Sequence, residues 1–167
     1  MLQIFTTGGT IDKVYFDAKS DFQVGDPQIV EILKQVGATV LYDAETLMRK
    51  DSLEITDNDR ARIVQRVLDC DAHRVLITHG TDTMAKTGRA IEAALQFRPD
   101  VTKTVVLVGS LTPARFRHSD AEFNIGFAVA AVQTLAPGVY VAMNGQVFPA
   151  SAARKNRAAN RFETTVG

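Results

Sequence analysis

The sequence predicts a single α/β domain built on a doubly wound parallel sheet. Five strand-like runs alternate with segments whose apolar residues recur at helical spacing. Two of the runs, at 75–77 and 105–108, are continuously apolar, which is typical of parallel strands buried on both faces. The chain has 167 residues, enough for one domain with a full hydrophobic core. We therefore expect helices on both faces of one central sheet, in a single domain over residues 1–167.

The strands and helices follow from these runs and from the residues that begin and end helices. The predicted strands are Leu2–Thr6, Ala38–Tyr42, Arg74–Thr78, Lys103–Val108 and Gly138–Met143. The predicted helices run over Pro27–Val36, from Thr56 or Asp57 through Leu68, from a cap at Asp82 through Leu95, and from Ser119 or Asp120 through Leu135. The common flavodoxin-like strand order 2-1-3-4-5 places the first and third strands side by side.

Composition excludes several classes of protein. The formal net charge is zero and the pI is about 6.8, so neither nucleic acid nor a membrane surface is expected as a partner. No apolar run approaches the roughly 20 residues of a membrane span. The single cysteine, Cys70, fits a reducing compartment, and the amino terminus is strand-like rather than signal-like. We therefore expect a cytoplasmic protein. The histidines lack metal-ligand spacing, and neither a metal nor a cofactor is expected.

Two glycine turns carry the clearest functional signal. The run TTGGT at 6–10 follows the first strand, and THGTD at 78–82 follows the third. Glycine allows a sharp turn and the close approach of a ligand to backbone N–H groups. Open parallel sheets bind ligands at the carboxyl ends of their strands. With the first and third strands adjacent, Thr10 and Thr81 would face the same crevice as a paired hydroxyl site.

At this point the chain resembles the bacterial-type L-asparaginases. TGGTI at 7–11, THGTDTM at 78–84 and the pair Asp51-Ser52 match that family's active-site signatures in order. Weaker matches occur at 108–110, at 123–124 and at 143–144. The resemblance covers nearly the whole chain, which corresponds only to the larger N-terminal domain of ordinary members. It implies a homo-oligomer, because these relatives place their sites at subunit interfaces.

The resemblance implies catalytic roles for four residues. Thr10 falls on the threonine nucleophile that attacks the side-chain amide carbon. Thr81 falls on the second active-site threonine, and Asp82 on the carboxylate that holds the substrate's amino group and pairs with a lysine. Counting forward from 143–144 without gaps puts Lys155 on that lysine. The stretch 150–167 is typical, by composition, of a solvated basic tail, but the alignment of Lys155 outweighs that interpretation.

The same resemblance implies the substrate contacts and the reaction. Ser52 falls on the residue that binds the substrate's α-carboxylate. Backbone N–H groups at Gly9 and Gly80 are candidates for stabilising the oxyanion. The implied reaction converts L-asparagine and water into L-aspartate and ammonia through an acyl-threonine. A pocket discriminates one methylene by only about 1–3 kcal/mol, so L-glutamine is expected as a weaker substrate.

The chain departs from the family in two places. Relatives carry a tyrosine after the first signature, whereas aligning back from 24–25 puts Phe22 there. Tyr15 lies in the same loop and is the candidate replacement for the missing hydroxyl. The second departure is size, because a neighbouring subunit's smaller C-terminal domain completes the pocket in larger relatives, and we expect no such domain here.

Three other functions stay open from the sequence. The domain would bind amino acids without hydrolysis if the missing hydroxyl were essential. The threonine-rich turn after the first strand also resembles the phosphate-binding loop of flavodoxins, which would make the chain a phosphate or flavin binder. Subunits of tRNA-dependent amidotransferases contain a similar domain, but the chain is short and has no basic patch.

Overall fold

A central six-stranded sheet organises the residues that this computed structural model describes, 1–17 and 21–165. The strands are β1 (Leu2–Thr6), β2 (Lys13–Phe16), β3 (Asp21–Val24), β4 (Tyr42–Thr46), β5 (Arg74–Thr78), β6 (Thr104–Val108), β7 (Gly138–Met143), β8 (Gln146–Pro149), β9 (Ala153–Asn156) and β10 (Arg161–Thr164). The helices are α1 (Ile29–Gln35), α2 (Asp57–Asp69), α3 (Met84–Gln96) and α4 (Ala121–Thr134). None of the helices in these ranges has the length and apolar character needed to cross a membrane.

The strand order of the main sheet is β4-β1-β5-β6-β7-β8. Its first five strands are parallel, and β8 returns antiparallel to β7. Numbered along the chain, the five parallel strands have the predicted order 2-1-3-4-5. Thr6 at the end of β1 pairs with Thr78 at the end of β5. The two glycine turns therefore leave the sheet at the same edge and level.

Helices cover both faces of the sheet, as predicted. Successive residues of a strand point to opposite faces, so Phe5 joins the core cluster that contains residues of α2 and α3, whereas Ile4 joins the one that contains residues of α1 and α4. Likewise, Ile77 belongs to the first cluster and Leu76 to the second. The side chains of these two residues, like those of Phe5 and Ile4, are fully buried. The sheet is thus fixed from both sides, and the turns at its carboxyl edge are held on a rigid support.

The prediction for the second strand was wrong. We expected Ala38–Tyr42, but β4 is Tyr42–Thr46, with Tyr42 paired to Leu2. This strand lies at the edge of the sheet and is largely exposed or half-buried, with the sequence YDAET. An edge strand buried on neither face lacks the apolar signature, so the nearby apolar run at 38–42 was chosen instead.

The capping prediction was confirmed for α2 and wrong for α3. Thr56 caps α2 in a capping box, accepting a hydrogen bond from the Asp59 N–H while Asp59 accepts one from the Thr56 N–H. By contrast, α3 begins after Thr83 without a side-chain cap. Asp82, the predicted cap, instead forms an ion pair with Lys155.

Three features were not predicted from the sequence. Strands β2 and β3 form an antiparallel hairpin after the first glycine turn, and β8 extends the main sheet. The basic stretch near the end of the chain folds as a second hairpin, β9–β10. Its Ala153 and Phe162 are buried in the same core cluster as Ile77. Burial of these two side chains explains why the stretch is ordered despite its charge.

Candidate active site

The two glycine turns touch each other through their backbones. The Thr7 N–H and hydroxyl both donate to the Thr78 carbonyl, at 3.1 and 2.8 Å. Gly9 has a φ of +97°, and a Cβ atom there would overlap the backbone of Gly80. Only glycine combines this conformation with such a close approach. The backbone of Thr10 is therefore held directly beside the second turn.

Ser52 joins the turns through a third close contact. A Cβ atom on Gly80 would lie 2.6 Å from the Ser52 Cβ. Ser52 is buried and begins a short 3₁₀ turn, which a capping box between Asp51 and Glu54 stabilises. The Thr83 hydroxyl donates to the Ser52 carbonyl at 2.7 Å. The structure therefore brings Ser52, Gly9 and Gly80 together.

Lys155 reaches the second turn from the β9–β10 hairpin. Its Nζ donates to the Thr81 Oγ1 at 2.7 Å and to the Asp82 Oδ1 at 2.9 Å. The Lys155 side chain is only 14% exposed, and Thr81 is buried. Lys155 pairs across the hairpin with Phe162, whose ring contacts Phe148 of the main sheet. Hairpin packing therefore directs the ammonium group between the hydroxyl and the carboxylate.

Thr10 and Asp82 line one cavity of about 740 Å³ at the carboxyl edge of the sheet. Its other lining residues include Val24 and Phe22 of β3, exposed Leu53, and the charged side chains of Lys13, Asp21, Arg49, Asp51 and Glu54. Together with Asp82, these charges are four carboxylates against two cations, of which Lys13 pairs with Asp51 at 2.6 Å. Lys155 and Arg157 lie beside Asp82 and balance this excess, so the net charge of the cavity does not by itself select a cationic ligand. Within residues 1–17 and 21–165, no cluster of three His, Cys, Asp or Glu is arranged to hold a metal ion.

Tyr15 and Phe22 face each other across the β2–β3 hairpin. They are register partners, so their side chains project from the same face. Their ring centroids are 5.2 Å apart, and the Phe22 ring also lies 5.8 Å from that of Phe116. Phe22 lines the cavity with Thr10. Tyr15 is 47% exposed and is not among the residues that line this cavity.

The side chain of His79 contacts the backbone of the second glycine turn. Its ring is fully buried, with Nδ1 2.7 Å from the Gly80 carbonyl and Nε2 2.8 Å from the Thr87 hydroxyl. Burial lowers the pKa of His79 to about 4, so the imidazole is neutral at physiological pH. A neutral ring that donates from Nδ1 and accepts at Nε2 satisfies both contacts. His79 therefore fixes the peptide that precedes Thr81.

Sequence reasoning missed two charged residues at this site. Asp12 follows Thr10 in the same short 3₁₀ turn and is buried; its Oδ1 accepts from the Gln28 N–H at 2.8 Å, whereas its Oδ2 has no hydrogen-bond partner among the described residues. Burial raises the pKa of Asp12 to about 7. Arg157 lies just after β9, with its Nε 3.4 Å from the Asp82 Oδ1. A carboxylate one residue past the apolar Ile11, and an arginine two residues past Lys155, were the available signals.

Known proteins similar to this chain fall in one family. The L-asparaginase of Thermococcus kodakarensis is 30% identical over 151 residues, which cover 87% of this chain and 44% of that protein. A solved structure described as the thermostable L-asparaginase from Thermococcus kodakarensis superposes with a TM-score of 0.81 at 25% identity, covering 98% of this chain and 50% of that one. One component of the glutamyl-tRNA(Gln) amidotransferase of Methanococcus vannielii is 28% identical over 160 residues, covering 87% of this chain and 34% of that protein.

The chain therefore spans half or less of the length of these three relatives. A family model described as the N-terminal part of asparaginase matches residues 1–164. This match extends from the first glycine turn to the β9–β10 hairpin that carries Lys155. On this evidence the chain belongs to the asparaginase family, over the family's N-terminal domain.

Proposed function

We propose that this protein hydrolyses the side-chain amide of L-asparagine, with Thr10 as the nucleophile. The observation that carries the proposal is the contact of Lys155 with both Thr81 and Asp82, beside a cavity that Thr10 and Asp82 share. A threonine hydroxyl is a weak nucleophile unless neighbouring groups remove its proton and fix its position. Two hydroxyls, a lysine and a carboxylate at one edge of the sheet supply such groups.

The proposed reaction proceeds in two steps. The Thr10 oxygen forms a bond to the amide carbon, the carbon–nitrogen bond breaks, and the nitrogen leaves as ammonia with the proton from Thr10. Water then attacks the resulting ester, releases L-aspartate and returns a proton to Thr10. We assign to Lys155 and Thr81 the transfer of protons in these steps. Backbone N–H groups at Gly9 and Gly80 are the proposed donors to the oxyanion, and one such donor typically contributes about 2.7–4 kcal/mol.

Substrate binding is assigned to the two ends of the amino acid. Asp82, which lines the same cavity as Thr10, would accept the α-ammonium group. The Ser52 hydroxyl, which makes no hydrogen bond within the described residues, would donate to the α-carboxylate. L-Glutamine would bind with its amide displaced by one methylene, at a cost of about 1–3 kcal/mol. We therefore expect glutamine to be hydrolysed more slowly.

Tyr15 is proposed to supply the hydroxyl that Phe22 lacks. The two side chains share one face of the hairpin, and Phe22 already lines the cavity with Thr10. A Tyr15→Phe variant removes only the hydroxyl and keeps the ring that packs on Phe22. If Tyr15 activates Thr10, this variant loses kcat while the Tm is unchanged. Unchanged kcat would remove Tyr15 from the mechanism.

The deciding experiment measures ammonia release from L-asparagine and L-glutamine between pH 7 and pH 10. Wild type is compared with Thr10→Ala and with Thr102→Ala, which alters an exposed threonine just before β6, at the opposite edge of the sheet. We expect Thr10→Ala to abolish release and Thr102→Ala to leave it intact. Full release by Thr10→Ala would exclude Thr10 as the nucleophile. Saturable asparagine binding by calorimetry without any ammonia would favour the amino-acid-binding alternative.

We propose in addition that the protein is a homo-oligomer, in which a second copy covers the cavity. Two apolar side chains on the cavity lining, Phe22 and Leu53, are 43% and 65% exposed, and contact with another copy would bury them. Analytical ultracentrifugation, together with activity measured on serial dilution, tests this. Full activity in a demonstrated monomer would contradict it. A cytoplasmic location likewise remains a prediction, which cell fractionation tests.

A further inference from the structure

Asp82 has two cationic partners on one oxygen. The Lys155 Nζ lies 2.9 Å from Oδ1 and the Arg157 Nε lies 3.4 Å from the same atom. Lys155 also bonds Thr81, so its position is tied to the hydroxyl. The Arg157 side chain makes no hydrogen bond within the described residues and is 67% exposed. Its guanidinium is therefore a separate positive charge beside the carboxylate.

This second cation changes what Asp82 offers to a ligand. In the proposed function, Asp82 receives the α-ammonium group of the amino acid. That ammonium would approach a carboxylate that Lys155 and Arg157 already neutralise, and it would meet the charge of Arg157 at close range. When a ligand without an ammonium group binds, the Asp82 carboxylate keeps Lys155 and Arg157 as its cationic partners. The usual penalty for an unpartnered carboxylate is thereby reduced.

We propose that Arg157 extends the substrates of this site to monoamides of dicarboxylic acids that lack an α-amino group. This inference rests on the proposed function. Succinamate, the monoamide of succinate, is the simplest member of the class. Its hydrolysis follows the same steps: an ester forms between Thr10 and the amide carbon, ammonia leaves, and water releases succinate. Arg157 is thus a specificity-determining residue, which partners Asp82 in place of the absent ammonium.

The chain offers a matched control in Arg154. It lies on the same hairpin, is similarly exposed at 61%, and pairs with Glu163 at 3.3 Å rather than with Asp82. Arg157→Gln and Arg154→Gln each remove one positive charge and shorten the side chain by the same amount while keeping it polar. Any effect of net charge alone appears equally in both variants. An effect through Asp82 appears only in Arg157→Gln.

The first readout is binding of the two products, L-aspartate and succinate, measured by calorimetry at equal pH and salt. Removing Arg157 should weaken the binding of succinate, because Asp82 then loses a cationic partner. It should strengthen the binding of L-aspartate, because the ammonium group of aspartate pairs with Asp82 and no longer meets the charge of Arg157. An exposed ion pair is worth about 0.2–1 kcal/mol, which is roughly a 1.4- to 5-fold change in each Kd. The ratio of the succinate Kd to the aspartate Kd should therefore rise about 2- to 25-fold in Arg157→Gln. In Arg154→Gln the ratio should stay as in wild type.

The second readout is ammonia release from succinamate and L-asparagine by the same three proteins. We expect wild type to hydrolyse both, and the preference for asparagine to increase in Arg157→Gln alone. A ratio of Kd values that is equal in both variants, or no binding of either product to wild type, would overturn the inference. Ammonia release from L-asparagine together with unaltered Kd ratios would support the proposed function and overturn the inference about Arg157. Altered ratios with no release from any amide would refute hydrolysis and the extension of the substrate class, and would leave Arg157 a role in ligand binding alone.

Discussion

Replacing Asp12 with asparagine should remove a pH dependence from the stability of this fold. The Asp12 side chain is 1% exposed, lies two residues after the proposed nucleophile, and has an Oδ2 that no atom of residues 1–17 and 21–165 hydrogen-bonds. A buried charge without a partner is costly, and this burial raises the pKa of Asp12 from 3.8 to about 7. Arg49 opposes the rise and Asp26 adds to it, both more weakly than burial. Asparagine cannot ionise, yet its side-chain oxygen can still accept from the Gln28 N–H.

The sign and size of the effect follow from the two pKa values. Below pH 4 the carboxyl is protonated in both the folded and the unfolded chain, and its contribution to stability is complete. Between pH 4 and pH 7 the unfolded chain releases the proton while the folded chain retains it, so the free energy of unfolding falls as the pH rises. A shift from 3.8 to about 7, at 1.36 kcal/mol per pKa unit, corresponds to about 4 kcal/mol. The loss is complete above pH 7.

Urea unfolding at pH 4, 5, 6, 7 and 8 measures this difference directly. The control is Asp43→Asn, which alters an exposed carboxylate on the edge strand β4. At pH 4 we expect Asp12→Asn and wild type to differ by about 1 kcal/mol or less. At pH 8 the variant should be more stable by about 4 kcal/mol. A difference between Asp12→Asn and wild type that stays constant from pH 4 to pH 8 would refute a neutral, buried Asp12.

Three further substitutions test the supports of the site, each by urea unfolding. Gly126 lies inside α4 with open space around its Cβ position, so Gly126→Ala should stabilise the fold by about 0.5–1 kcal/mol, and a loss would mean that this position is not free. Gly80→Ala puts a Cβ 2.6 Å from that of Ser52 and should cost about 1–3 kcal/mol, whereas a neutral result would dismiss the close contact. Thr87→Val strands the buried Nε2 of His79 and should also cost about 1–3 kcal/mol; Thr87→Ser keeps the hydroxyl, and equal losses in both variants would assign the cost to packing alone.

The sequence predicted the interior of the fold better than its margins. Strands β5 and β7 begin and end where expected, at Arg74–Thr78 and Gly138–Met143, because central strands must be apolar and glycine or threonine marks their ends. Edge strand β4 carries no such pattern. The two hairpins also escaped prediction, since their strands are only four residues long, too short for a clear alternating pattern, and tertiary contacts such as those of Phe162 stabilise the second hairpin.

For the candidate site, too, some features could be predicted from the sequence and others could not. The glycine turns could be assigned to one edge from strand order alone, because parallel neighbours end together. Lys155 was found only by alignment with a family, since nothing in a basic stretch distinguishes one lysine from the arginines around it. Asp12 and Arg157 were missed because their importance depends on burial and on a distance to Asp82, and neither is a property of local sequence.

The contacts that position the site all lie within the described residues. Gly9 touches Gly80, Gly80 touches Ser52, and Lys155 bonds the residue after Gly80. The first two contacts join one turn to another, and the third joins a turn to strand β9, so contacts within this domain bring Thr81, Asp82 and Lys155 together. The cavity wall differs, because Phe22 lines it while remaining 43% exposed. A second copy that covered this face, as proposed above, would bury Phe22 and shield the cavity from water, and covering should therefore alter KM.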